Sequence, residues 1–178
     1  MMKINFKKTF SLILCSLMLI IIFSYTHLTK EIKPAFTAYT ITLQGTVLIG
    51  ANQQWTWTVT NPNPGNGNNN SLQDVSHWSL PLSPLAEASL ISAEYSTDGS
   101  TWNSLSIVIE RDPSIRVCTT VDVLKFANGT SGSAPAYYRA TFDRDFFINP
   151  YAVSYIKTGG GLQGCNAYYY SGLGSYTD

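Results

Sequence analysis

Gln53-Gln54-Trp55-Thr56-Trp57-Thr58-Val59-Thr60 decides how this chain folds. Trp55, Trp57 and Val59 alternate with Thr56, Thr58 and Thr60, so an extended backbone puts three large apolar side chains on one face and three hydroxyls on the other. A helix would scatter these residues around its circumference, whereas a strand with one buried face selects β-branched and aromatic side chains in this order.

The same period of two recurs along the chain. Tyr39 to Ile49 (YTITLQGTVLI) precedes the decisive stretch. Ala88 to Thr97 and Thr101 to Ile109 flank Asp98-Gly99, a step favoured at positive φ in tight hairpin turns. Ile115 to Phe126, Ala136 to Phe142 and Tyr151 to Lys157 add further strands, and the tail NAYYYSGLGSYTD has room for one more. Turn-rich segments separate them: Asn61 to Ser71 (NPNPGNGNNNS), Asn128 to Pro135, and Asn149-Pro150. No span after residue 38 carries a convincing 3.6-residue apolar period. The expectation is an all-β chain: a single antiparallel sandwich or jelly-roll-like domain over residues 39–178 with about seven to nine strands.

Residues 1–38 are a different kind of sequence. Lys3, Lys7 and Lys8 precede fourteen apolar residues, Phe10 to Phe23, which matches a secretory leader of about 7–15 apolar residues and falls short of the roughly 20 that a spanning helix needs. Ala38 is the best small-residue cleavage position. An uncleaved anchor through residues 10–23 is the alternative, and it would be the chain's one membrane contact. Cys15 reads as filler within the apolar run.

The 178-residue chain has a formal charge of zero, but that balance averages two unlike segments. Of eleven basic and eleven acidic residues, five and one lie in residues 1–38, which leaves six and ten after it, a net charge of −4. An acidic domain in a chain only 12% charged and 44% hydrophobic is neither disordered nor a nucleic-acid binder. Secretion or a cell-surface location is expected. In that compartment Cys118 and Cys165 read as one disulfide, the alternative being two separate thiols.

Chemistry-bearing residues are few. His77 lies in Asp74-Val-Ser-His-Trp78, but adjacency on an extended chain is not a triad, and the structural reading is a histidine hydrogen-bonded at a strand edge beside a core Trp78. Glu110/Asp112 and Asp143/Asp145 are carboxylate pairs at a spacing that shares one face, as a hydrolase would need; Arg111 and Arg144 inside them favour solvated loops. Cys118, Cys165 and His77 are too scattered for zinc, so neither a metal nor another cofactor is expected, and no catalytic residue is assigned. Stacking on sugars is the remaining option. Trp55, Trp57 and Trp78 belong to the core by phase, which leaves Trp102, Tyr168, Tyr169 and Tyr170 as candidate ligand-binding aromatics.

One further pattern runs through the chain. Trp55-Thr-Trp-Thr-Val-Thr-Asn61, then Asp74-Val-Ser-His-Trp78 with Leu80-Pro81, and later Val123-Leu-Lys-Phe126, Tyr138-Arg-Ala-Thr-Phe142, Ile156-Lys-x-Gly159-Gly160 and Gly164-Cys165 resemble a β-sandwich domain of secreted and surface proteins of bacteria. The likeness spans residues 40 to 166. It departs after Ser-His-Trp, where Leu80-Pro-Leu-Ser replaces the usual cysteine. The resemblance implies an extracellular sandwich of undefined role with no catalytic residues to carry over. The functional expectation is therefore a non-catalytic, secreted or envelope-associated protein in surface structure or adhesion. Self-association could run through an exposed edge or through Tyr39 to Gln44, with cell-surface polysaccharide or protein as other partners. A glycan-binding module is the first alternative and a carboxylate-dependent hydrolase the second.

Overall fold

Ten strands alternate with turns in the computed structural model, which describes residues 39–68, 71–159 and 164–174. The expected leader at 1–38 lies outside the described residues. The strands are β1 (Thr40–Ile49), β2 (Asn52–Thr60), β3 (Val75–Pro81), β4 (Leu90–Ser96), β5 (Asn103–Leu105), β6 (Ile109–Glu110), β7 (Val123–Phe126), β8 (Ala136–Phe142), β9 (Ile148–Thr158) and β10 (Cys165–Leu173). They form two five-stranded antiparallel sheets, in the orders β1-β2-β8-β4-β5 and β10-β9-β3-β7-β6. The chain is an all-β sandwich.

The alternation read in β2 sets the core. Trp55, Trp57 and Val59 are fully buried, and they meet Tyr138, Ala140 and Phe142 of β8, Trp78 and Leu80 of β3, Leu124 and Phe126 of β7 and Ile156 of β9. Trp78 sits at the centre. Its ring stacks on Phe126 at 4.7 Å and takes edge contacts from Tyr138 at 5.2 Å and Trp57 at 5.9 Å, so one side chain binds both layers together.

Several elements differ from the sequence reading, each for a local reason. The strand count is ten because Val75–Pro81, outside the segments picked out by alternation, is a strand, β3, and because Thr101 to Ile109 divides into the short β5 and β6. Ile115 to Phe126 is a strand only over β7. A 3-10 turn, Pro113–Ile115, follows Ile109–Glu110, and a strap over residues 111–122 crosses the outside of the second sheet. A short helix, α1 (Pro84–Ser89), was invisible to periodicity because one turn and a half shows no repeat; Ser83 caps it by accepting from the Ala86 N–H, and Pro84 opens it. Asp98-Gly99 turns the chain as read, with Gly99 at φ 73°, but within a longer loop, since the β4–β5 ladder begins at Tyr95 and Asn103. The Asp98 carboxylate organises that loop by accepting from the Thr101 and Ser100 N–H groups and the Ser96 hydroxyl, which hold it well below the usual carboxylate range.

Candidate functional site

The outward faces of β3, β7 and β9 carry the residues that the inward alternation leaves over. Because Trp78, Phe126 and Ile156 point into the core, His77, Lys125, Tyr155 and Lys157 point to the other side of the second sheet. The strap covers them. Ile115 at the end of its 3-10 turn is fully buried and forms a second small apolar cluster with Val123 and Cys165, with Cys118 and Tyr155 packed against it. Cys118 is bonded to Cys165 at the start of β10, which fastens the strap across β9.

Beneath the strap lies a polar cluster centred on Asp112. One carboxylate oxygen accepts from the Ser114 N–H at 2.8 Å and from the Ser114 hydroxyl at 2.6 Å. The other lies 2.8 Å from His77 Nε2 and 2.9 Å from Lys125 Nζ. Asp112 and His77 are both buried. Lys157, also buried, places its ammonium on the carbonyls of Thr158 and Gly159 at 2.7 and 2.9 Å. Burial alone would raise the Asp112 carboxyl, but Ser114, Lys125 and His77 more than offset it and hold the group at about 2. His77 is lowered to about 4, first by burial and then by Lys125, against the pull of Asp112. At neutral pH this is a carboxylate beside a neutral imidazole, with Nε2 2.8 Å from the carboxylate oxygen.

Serine, histidine and aspartate have thus come together, in the wrong order for nucleophilic catalysis. A triad needs the imidazole in the middle, with the hydroxyl on one ring nitrogen and the carboxylate on the other. Here the carboxylate is in the middle. Ser114 Oγ donates to Asp112 and lies 3.4 Å from His77 Nε2, the same nitrogen that faces the carboxylate. What this arrangement does is pin: two Ser114 hydrogen bonds and the close approach of His77 and Lys125 from β3 and β7 converge on one buried anion and hold the strap to the sheet.

The pin is sensitive to acid, with a definite sign. His77 has a folded-state value of about 4 against 6.5 in the open chain, so between those values the unfolded chain binds the extra proton and stability rises with pH. We expect unfolding free energy to fall by about 2 kcal/mol, once solvent screening is discounted, as pH drops from 6.5 to 4. Urea titrations at pH 7 and pH 4.5 measure it. A His77→Gln variant should flatten the slope in this window, and an unchanged slope would remove His77 as its source.

The sequence-read candidates fall in separate places. His77 is not at a strand edge: β3 lies between β9 and β7, so its imidazole is buried under the strap. Tyr170 is buried in the core and Tyr168 is half-buried edge-on against Tyr39, leaving Tyr169 outward at 79% exposure. Trp102 is half-buried beneath the Arg139 guanidinium, 3.5 Å from the ring centroid, outside the first sheet. Trp102 and Tyr169 therefore occupy opposite faces of the sandwich and form no joint platform. Glu110 is exposed while Asp112 is buried, and Asp143 and Asp145 are both exposed, with Arg144 3.2 Å from Asp143. Neither pair presents two free carboxylates to one cleft. Among the described residues, no group of three or more His, Cys, Asp or Glu side chains is placed to hold a metal ion. Sequence reasoning missed Ser114 and Lys125. Lys125 had one signal, a charge set between Val123-Leu124 and Phe126 in an otherwise apolar strand.

Comparison with known protein families, curated proteins and solved structures finds no match to this chain.

Proposed function

We propose that this chain is an exported, non-catalytic β-sandwich that serves in the structure or adhesive properties of a bacterial cell surface. The observation that carries the reading is the use made of its reactive side chains. Asp112, His77, Ser114 and Lys125 engage one another beneath the strap, and Cys118 and Cys165 are joined, all in the service of holding one surface strap. A disulfide persists in oxidising compartments and is rare in reducing ones, which agrees with the cationic and apolar leader and with the resemblance to secreted and surface sandwich domains.

A second reading, glycan binding, is favoured by one observation. Among the described residues, Tyr151 and Tyr169 are the most exposed of the large hydrophobic side chains, at 77% and 79%, and the pairing of Tyr169 with Val153 makes them diagonal neighbours on β9 and β10. They replace the set of Trp102, Tyr168 and Tyr170 as a stacking surface.

One experiment separates these readings. The full chain is expressed with its leader, cells and medium are fractionated, and the recovered protein is weighed before and after reduction. The expected result is protein outside the cytoplasm that gains about two mass units on reduction, with no retention on insoluble cell-wall polysaccharide. A reduced cytoplasmic protein overturns the proposal. Polysaccharide retention that a Tyr169→Ala variant abolishes replaces it with glycan binding.

A further inference from the structure

Of the four sheet edges among the described residues, two are blunt and two are long. β5 and β6 have three and two residues; β1 and β10 have ten and nine. The long edges lie on the same side of the sandwich, where Tyr39 meets Tyr168 edge to face at 6.0 Å. Neither long strand contains a charged residue or a proline: β1 reads TITLQGTVLI and β10 reads CNAYYYSGL. An edge strand presents unpaired N–H and C=O groups, and proteins that stay monomeric commonly protect such edges with lysine, proline or very short strands. These two edges carry none of those protections.

β1 also exposes apolar surface. Val47, Leu48 and Ile49 are 53%, 61% and 51% exposed, three in a row on the part of the strand that outreaches the core. A bulge between Leu43 and Gly45 reverses the phase of the strand. Before it, Ile41 and Leu43 face inward opposite Val59 and Trp57; after it, Thr46 and Leu48 are the inward positions, opposite Trp55 and Gln53, while Val47 turns outward opposite Gln54.

We propose that β1 pairs antiparallel with β1 of a second copy, joining the two first sheets into one continuous ten-stranded sheet. This rests on the structural reading above and names its partner. Self-complementarity argues for a second copy. In an antiparallel ladder directly opposed residues must share a face, and a two-fold axis between Gln44 and Gly45 meets that condition on both sides of the bulge. It sets Leu48 of one copy across from Ile41 of the other on the inner face, Leu43 across from Thr46, and on the outer face Thr42 across from Val47 and Thr40 across from Ile49. The exposed aliphatics of each copy thereby extend the half-buried row of its partner. Charge points the same way: residues 39–178 carry −4, so two copies repel in general, and an uncharged strand is where they can approach with least opposition.

The test uses the exported protein recovered from cells expressing the full chain. Sedimentation is expected to show a dimer at micromolar concentration, and Leu48→Lys to weaken it on the order of 100-fold by placing a charge in the ladder. Val117→Lys, at an exposed strap position, is expected to leave it intact. A Thr42→Cys, Val47→Cys double variant should form a covalent dimer under mild oxidation while neither single variant does. Within one chain the two positions are about 16 Å apart in extended backbone, too far for a disulfide. This measurement keeps the proposal testable should Leu48→Lys fold poorly. A monomeric wild type, a dimer indifferent to Leu48→Lys, or single variants that cross-link as well as the double would overturn the pairing. Exported, disulfide-bonded monomer would overturn the pairing alone; a reduced cytoplasmic dimer would overturn the export reading alone.

Discussion

Trp78→Ala is expected to destabilise the fold by about 5 kcal/mol, the upper end of the range for an aromatic residue truncated in a core, and to leave little folded protein at 37 °C. The expectation follows from where the ring sits. Trp78 is fully buried and touches Phe126 on its own sheet, Tyr138 and Trp57 on the facing sheet, and Tyr170 on the edge strand β10. Its loss leaves a void bounded by four rings that belong to both layers. Those rings are held by their own ladders, and Tyr138 is further fixed by donating to the Asn128 carbonyl at 2.6 Å, so they are poorly placed to collapse into the gap. Trp78→Phe keeps an aromatic face against Phe126 and should cost roughly half as much. Urea unfolding followed by fluorescence of the remaining tryptophans measures both. Loss of less than about 2 kcal/mol in Trp78→Ala would mean that the sandwich relaxes around the site and that Trp78 is not its keystone.

Asp112→Ala is expected to cost about 3 kcal/mol, in keeping with removal of one partner from a buried ionic cluster and with the partial exposure of Lys125, which water can relieve. The loss is larger than that of the contacts themselves, because Ser114 loses the acceptor for its N–H and hydroxyl and the buried His77 and the partly buried Lys125 lose the anion they face. Asp112→Asn keeps an acceptor for Ser114 but gives up the anion, so the order of stability should be wild type, then Asn, then Ala. The pH profile gives a second signature. The carboxyl titrates at about 2 when folded and near 3.9 when unfolded, so its contribution is complete above 3.9 and is lost as pH falls from 3.9 toward 2. Both variants should lack that acid limb. A wild-type-like Asp112→Ala would show that the disulfide and Ile115 hold the strap without the ionic pin.

Strands whose faces differ in polarity were legible because alternation is a local property. β2 and β8 were read to within a residue, and the core tryptophans Trp55, Trp57 and Trp78 were assigned correctly from phase. The Cys118–Cys165 bond is expected from the two cysteines after residue 38, and the two are joined. The strap has the local pattern of a strand, since Ile115-Arg-Val-Cys-Thr-Thr-Val121 carries β-branched residues in strand-like order. What overrode that propensity was tertiary: Asp112 caps a turn, and Ile115 is buried against the outside of a sheet already complete without it. His77 was misplaced for a related reason, since nothing local tells whether a strand's outward face meets water or another segment.

Fold class and the inward face of the main strands are local properties of the chain, because they depend on the order of apolar and polar residues within a few positions. The net charge of −4 over residues 39–178 is likewise read from the sequence. Tertiary structure alone decided which residues meet across distance. His77 and Asp112 are 35 positions apart and Asp112 and Lys125 thirteen, yet they share one carboxylate. The pairing order of the sheets likewise decided that β1 and β10 are the long edges, for edge status belongs to a strand's neighbours and is written nowhere in the strand.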